Sequence, residues 1–266
     1  MLANFHTHTN FSHGKDSPED NVIYAIEQGF ESLGFTGHSY TDFDLSYCMT
    51  DTKGYMAEIN RLKEKYKSEI EIYLGLEEDI FSKDREQGFD YIIGSAHYVK
   101  KDGEYYPIDY DLENAEKAIE VFGNPLKLAE NYFESLCEYI ETKKPDIVGH
   151  FDLITKYDEQ ETPLFLGDSE YMEIANKYLK RALKSDPVFE INTGAISRGL
   201  RNTPYPCEEL LYELFKNDAK IILSSDSHKK EDLAFWFKEA KDMLYDIGFR
   251  DVYIIKNNRF ENRKIR

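Results

Sequence analysis

Six of the chain's seven histidines stand where a hydrophobic run breaks off, and imidazoles gathered at run ends are a pattern suited to binding metal ions. The run L-A-N-F-H-T-H delivers His6 and His8, two residues apart and therefore on one face of a strand. His13 follows one short loop later. The runs S-L-G-F-T-G-H, Y-I-I-G-S-A-H, D-I-V-G-H and I-I-L-S-S-D-S-H bring in His38, His97, His150 and His228. The same alternation adds carboxylates. In E-I-Y-L-G-L-E, Tyr73, Gly75 and Glu77 share the face opposite Ile72, Leu74 and Leu76. The count also groups Tyr91, Ile93 and Ser95 with His97, Val148 with His150, and Ile222 and Ser224 with Asp226 and His228. The candidate ligands are thus His6, His8, His13, His38, Glu77, His97, His150, Asp226 and His228, too many for one ion. Imidazole and carboxylate suit zinc, iron or manganese, and a carboxylate such as Glu77 can bridge two ions.

Strand and helix must alternate to bring those run ends together. Ser17 is placed as a helix N-cap, with Pro18 at the first helical position, acids in the first turn and Gly29 as the stop. Further helices are expected near 53–68, 125–142, 168–184, 207–217 and 232–247, and strands near 33–38, 70–77, 90–97, 146–150, 188–192, 219–225 and 251–255. About eight strands alternating with helices imply a parallel sheet. Of its two forms, doubly wound or closed, the barrel is favoured, because side chains at the ends of many strands converge at the C-terminal mouth of a barrel. One domain over 1–266 is expected, with 99–124, containing K-K-D-G-E-Y-Y-P, as an insertion that is either a lid or a solvated surface loop.

Composition narrows the partners. The 266-residue chain carries a formal net charge of -18, which opposes a role tracking the phosphate backbone of nucleic acid. Its 20 tyrosines and 17 phenylalanines accordingly read as packing for a barrel and its helices, not as base-stacking platforms. Lys63, Lys65 and Lys67 are interrupted by Glu64 and flanked by Glu69, a mixed solvated face. Cys48, Cys137 and Cys207 are odd in number and lack C-x-x-C spacing, so neither a disulfide framework nor a thiolate zinc site is indicated, and a reducing cytosol fits. With neither a basic leader followed by an apolar stretch nor a run of membrane-spanning length, a soluble cytoplasmic protein without membrane contact is expected.

These motifs resemble those of the polymerase-and-histidinol-phosphatase (PHP) superfamily over nearly the whole chain. Its opening H-x-H and third histidine are matched by His6, His8 and His13, and its later motifs by His38, Glu77 in G-L-E-E, His97 in G-S-A-H, His150 in G-H-F-D, and Asp226 and His228 in S-D-S-H. The resemblance implies a distorted (β/α)7 barrel holding three divalent ions (zinc, iron or manganese) at the mouth. By motif, His6, His8, Glu77 and Asp226 would hold the first, Glu77, His97 and His150 the second, and His13, His38 and His228 the third. Such a centre implies phosphate monoester hydrolysis by attack of a metal-bridging hydroxide. Asp226 or His228 stands available to assist the leaving group, although both are claimed as ligands.

Within the superfamily the chain is most similar to the histidinol-phosphate phosphatase branch, through G-S-A-H-Y, G-H-F-D-L-I and E-I-N-T-G-A-I-S-R-G-L-R followed by Y-P. The resemblance implies conversion of L-histidinol phosphate to L-histidinol and phosphate in histidine biosynthesis. A PHP phosphoesterase acting on nucleotides or other small phosphate esters is the alternative, and a non-catalytic metal-binding module of the kind fused to polymerases a further one. Arg198, six residues beyond the strand-end Asn192, is the expected phosphate clamp, with Arg201 competing. Asp42 and Asp44 follow His38 and can meet an ammonium or imidazolium; Tyr40, Tyr98 and Asn192 are further candidate substrate contacts on position alone. Ser95 and Ser227 are set aside as nucleophiles, since no histidine remains to act as their base.

Overall fold

The computed structural model describes residues 2–83, 87–160 and 163–266. β1 (Leu2–Asn4) leads into α1 (Pro18–Glu27), which starts as its sequence demands: the Ser17 side chain accepts from the Asp20 N–H, Pro18 opens the helix, and Gly29 reverses the chain at φ +77°. β2 (Phe30–His38), α2 (Thr52–Lys65), β3 (Glu71–Asp79) and β4 (Tyr91–Ser95) follow. A hairpin of β5 (Tyr98–Lys101) and β6 (Glu104–Pro107) and two helices, α3 (Leu112–Phe122) and α4 (Pro125–Lys143), precede β7 (Ile147–Val148). The remainder runs α5 (Ser169–Ala182), β8 (Val188–Asn192), the single turn α6 (Gly194–Ser197), α7 (Glu208–Lys216), β9 (Lys220–Ser224), α8 (Phe237–Ile247), β10 (Asp251–Lys256) and β11 (Arg259–Lys264).

The main sheet has the order β1-β2-β3-β4-β7-β8-β9-β10-β11, parallel throughout except for β11, which pairs antiparallel with β10. It curls until its first strand meets its seventh. Just beyond their ends, Thr7 bridges Ser227, with the His8 N–H donating to the Ser227 carbonyl at 2.8 Å and the Ser227 N–H to the His6 carbonyl at 3.2 Å. Seven parallel strands therefore surround one interior, the expected distorted (β/α)7 barrel, and β10 and β11 extend the sheet past the closure.

Alternation sorts the side chains. Phe5, Tyr73, Tyr91, Ile93, Ile147 and Ile222 pack inside, while Ile72, Leu74 and Leu76 face the helices. Gly34 and Gly75 make room for Tyr91: a Cβ would come within 2.2 Å of its hydroxyl at Gly34 and within 2.5 Å of its ring at Gly75. The hydroxyl donates to the Phe5 carbonyl at 2.6 Å, fixing the chain next to His6. Cys48, Cys137 and Cys207 are buried free thiols. No helix among the described residues is long and apolar enough to cross a membrane.

Three expectations need correction. β7 stops at Val148, which packs outward among the helices while Ile147 faces the interior. Val148 and His150 therefore do not share a strand face, and His150 reaches the site because the chain turns after the strand. β9 likewise ends at Ser224, and Asp226 at φ +47° breaks the alternation assumed for Asp226 and His228. Finally, 99–124 is not a bare surface loop. It holds most of the hairpin, turned by Asp102 and Gly103 at positive φ, and α3, capped by Asp111.

Candidate metal centre

The end of β3 is the hub, because Glu77 there is buried and each of its oxygens faces imidazoles. Glu77 Oε2 lies 3.2 Å from His6 Nε2, 3.3 Å from His8 Nε2 and 2.9 Å from His38 Nδ1. Glu77 Oε1 lies 3.0 Å from His150 Nε2 and 3.2 Å from His97 Nε2. Asp226 Oδ1 completes the first set, 3.5 Å from His6 Nε2 and 3.0 Å from His8 Nε2. His13 and His228 stand toward the rim with their Nε2 atoms 2.6 Å apart, and their donor atoms fall within one 4.8 Å group with those of His8 and His38. His8 thus stands between the first cluster and the outer one.

The spacing suits divalent ions. Four donors held 2.0–2.1 Å from one centre in a tetrahedron are about 3.3 Å apart, and the four histidine-to-carboxylate separations, from His6 Nε2 and His8 Nε2 to Glu77 Oε2 and Asp226 Oδ1, are 3.0–3.5 Å. Four buried atoms of this cluster, His6 Nε2, His8 Nε2, His38 Nδ1 and Glu77 Oε2, have no hydrogen-bond partner. Buried polar atoms rarely go unsatisfied, and a cation shared by these lone pairs satisfies them.

A second ring of acids orients the imidazoles. Glu190, inward-facing on β8 and fully buried, accepts from His6 Nδ1 at 2.6 Å, from the His150 N–H at 2.9 Å and from Asn192 Nδ2 at 2.9 Å. Because a carboxylate only accepts, His6 carries a proton on Nδ1 and turns Nε2 to the donor cluster. Asp79 stands in the same relation to His97 Nδ1, at 3.3 Å. Burial would raise the Glu77 carboxyl, but the imidazoles of His38, His6 and His97 and the hydrogen bond from His150 hold it well below the usual range. Asp226 is likewise held low against its burial, by His6 and Arg198 first. His38 is pushed down to about 4, chiefly by burial, and His228 is lowered well below the ordinary imidazole value, by burial and then His8. His38 and His228 are thus held as neutral imidazoles, the form that metal binding requires.

A cleft of about 690 Å³ opens above the cluster, ample for a small organic ligand. Arg198, at the end of α6, lines it. Its Nη1 donates to the Asp226 carbonyl at 3.2 Å and lies 3.2 Å from His228 Nδ1, while Nη2 pairs with Asp226 Oδ2 at 3.2 Å. Lys15 and Lys229 add positive charge. Tyr98 also lines the cleft, with its hydroxyl on Asp44 Oδ2 at 2.5 Å.

The remaining expected contacts lie elsewhere. Arg201 is buried away from the cleft. Its guanidinium donates to the Thr155 carbonyl at 3.0 Å, pairs with Glu159 at 3.1 Å and stacks on Tyr205. Asn192 is fully buried and spent on Glu190 and on the Gly194 N–H, at 2.8 Å. Asp42 is turned outward to a salt bridge with Lys83. Tyr40 is half exposed and lines a separate surface hollow with Ser39 and Met49. The position of a residue after a strand end does not say which way the loop turns it. Glu190 and Asp79, missed as site residues, did carry a signal: each is an acid on the inward face of a hydrophobic strand.

A PHP domain family model matches residues 4–194. A Schizosaccharomyces pombe protein named "Probable histidinol-phosphatase" is 30% identical over 92% of this chain and 85% of its own length. The histidinol-phosphatase of Bacillus subtilis is 25% identical over 88% of this chain and 96% of its own. Among solved structures, a Lactococcus lactis histidinol phosphate phosphatase complexed with zinc, L-histidinol and phosphate aligns with a TM-score of 0.74, at 20% identity, covering 97% of this chain and 98% of that one.

Proposed function

The chain belongs to the PHP family, and from that membership we propose that it is a metal-dependent histidinol-phosphatase, hydrolysing L-histidinol phosphate to L-histidinol and phosphate. The observation that carries the proposal is the Glu77-centred set of nine donors, opening into a cleft with Arg198 on its wall. Full-length relatives named for this activity support the substrate. The whole of 1–266 is read as one barrel, with the 99–124 segment as a partial lid, and its three buried thiols suit a reducing cytosol.

Three divalent ions (zinc, iron or manganese) are proposed, with His6, His8, Glu77 and Asp226 for the first, Glu77, His97 and His150 for the second, and His13, His38 and His228 for the third. When bound, such ions lower the pKa of water and neutralise charge on the transferring phosphoryl group. The chain's own residues do the rest. Glu77 spans two sites, and Glu190 and Asp79 hold the His6 and His97 rings in the orientation that ligation requires. Arg198, with Lys15 and Lys229, draws the phosphate to the mouth and steadies its charge. Asp226 and His228, beside Arg198, serve as ligands: the first is held ionised and the second neutral, so neither carries a spare proton for the departing oxygen. Steady-state kinetics with L-histidinol phosphate against a panel of nucleotides and sugar phosphates tests the assignment. A clear kcat/KM preference for L-histidinol phosphate is expected, and a preference for any other ester overturns it.

A further inference from the structure

The cleft is electrostatically two-sided. Lys15, Arg198 and Lys229 follow β1, β8 and β9, which are consecutive around the barrel closure. Asp44 and Tyr47 follow β2, and Tyr98 and Asp109 belong to the hairpin segment after β4, so acidic and aromatic groups occupy another arc of the mouth. A phosphate drawn to the cationic arc leaves the rest of its ester against the acidic one.

Asp44 differs from every other acid lining the cleft. Glu77 is surrounded by imidazoles, Asp226 is paired with Arg198, Asp109 with Lys156 at 3.2 Å, and Asp232 with Lys229 at 3.5 Å. Asp44 receives only neutral donors: the Ser46 N–H at 2.8 Å and Ser46 hydroxyl at 2.6 Å on Oδ1, and the Tyr98 hydroxyl at 2.5 Å on Oδ2. No Lys, Arg or His pairs with it among the described residues. The Thr41 hydroxyl donates to the Asp44 carbonyl at 2.7 Å and steadies the loop. These hydrogen bonds favour the ionised carboxylate and fix its direction without cancelling its charge. A pre-oriented carboxylate with an uncompensated charge, beside the rings of Tyr47 and Tyr98, suits an organic cation.

We infer that Asp44 is the specificity-determining residue of this enzyme, pairing with the ammonium group of the phosphate ester and selecting cationic substrates over neutral ones. The inference rests on the histidinol-phosphatase reading. Its test is the ratio of kcat/KM for L-histidinol phosphate to that for p-nitrophenyl phosphate, in wild type and Asp44→Asn, together with inhibition by L-histidinol. Loss of one charge-assisted pair predicts a fall in the ratio of about ten- to hundred-fold, mainly through KM, and a comparable rise in the L-histidinol Ki. If wild type prefers L-histidinol phosphate but Asp44→Asn keeps the ratio within about twofold, Asp44 is not the selector and the inference falls alone. A wild-type enzyme with no preference between the two esters overturns the substrate assignment, and the inference with it.

Discussion

Glu190 stands outside the proposed ligand set yet touches two of its members. It bonds His6 through the ring nitrogen turned away from the donor cluster and His150 through its backbone, so it governs one ring's tautomer and another ligand's placement. Replacing such a partner typically costs about ten- to hundred-fold in metal affinity or activity. Glu190→Gln keeps the volume but lets the amide present either a donor or an acceptor to Nδ1. Competition with a chelator should therefore show metal affinity lowered by about that factor, with the circular dichroism of the native fold retained; unchanged affinity would remove Glu190 from this role. Arg198 lines the cleft and is the proposed contact on the substrate side. Arg198→Ala should lower kcat/KM for L-histidinol phosphate by about ten- to thousand-fold, equivalent to about 1.4–4 kcal/mol, with metal content unchanged by elemental analysis. A near-normal kcat/KM would mean that the phosphate is held by Lys15, Lys229 and the metals alone. The gathering of these nine side chains was legible from residue type and from the hydrophobic runs that break off beside them, with His13 one loop later. The choice between Arg198 and Arg201 was not legible, because it depends on the turn that follows α6.

That turn is where element and residue meet. Arg201 ties the segment after α6 to the 3-10 turn Leu153–Thr155 that follows β7, through Thr155 and the ion pair to Glu159. Its guanidinium is fully buried, and breaking a buried pair on one side typically costs about 3–5 kcal/mol because the other charge is left without its partner. Arg201→Met should therefore lower the unfolding free energy obtained from urea titration by an amount of that order, while the folded fraction keeps its kcat for L-histidinol phosphate. A large loss of kcat at full stability would return Arg201 to the phosphate site. At this scale the elements were legible wherever local chemistry names its own boundaries, as Ser17, Pro18 and Gly29 do for α1. The hairpin and α3 carried equally local signals, Asp102-Gly103 at the turn and Asp111 and Gly123 at the helix ends. They went unread because a continuous run of polar and aromatic residues looks like a loop when only strand-helix alternation is sought. The ends of β7 and β9 had no such signal. Where a strand stops depends on pairing with neighbours distant in sequence, so extending the period-two count to His150 and Asp226 failed.

For the molecule as a whole, the barrel brings the run ends to one mouth, and the cluster assembled there is costly without cations. Glu77, Asp226, Glu190 and Asp79 are buried beside imidazoles whose lone pairs crowd one another, with His13 and His228 nitrogens 2.6 Å apart. Burying charge and leaving lone pairs unmatched both oppose folding. Each ion bound to these groups in the folded chain, and far more weakly once it unfolds, shifts the equilibrium toward the native state by about 2.7 kcal/mol at free metal a hundred times Kd. For a chain of this size that corresponds to a rise in Tm on the order of 5–10 °C for each ion. Treatment with a chelator should accordingly abolish turnover and lower Tm by at least that amount, and restoring zinc, iron or manganese should recover both. Elemental analysis of protein purified without chelator should find more than one transition-metal equivalent per chain, approaching three. Full activity with a single equivalent would eliminate the trinuclear arrangement. An unchanged Tm after complete metal removal would mean instead that the cluster is satisfied by proton sharing among its own imidazoles and carboxylates.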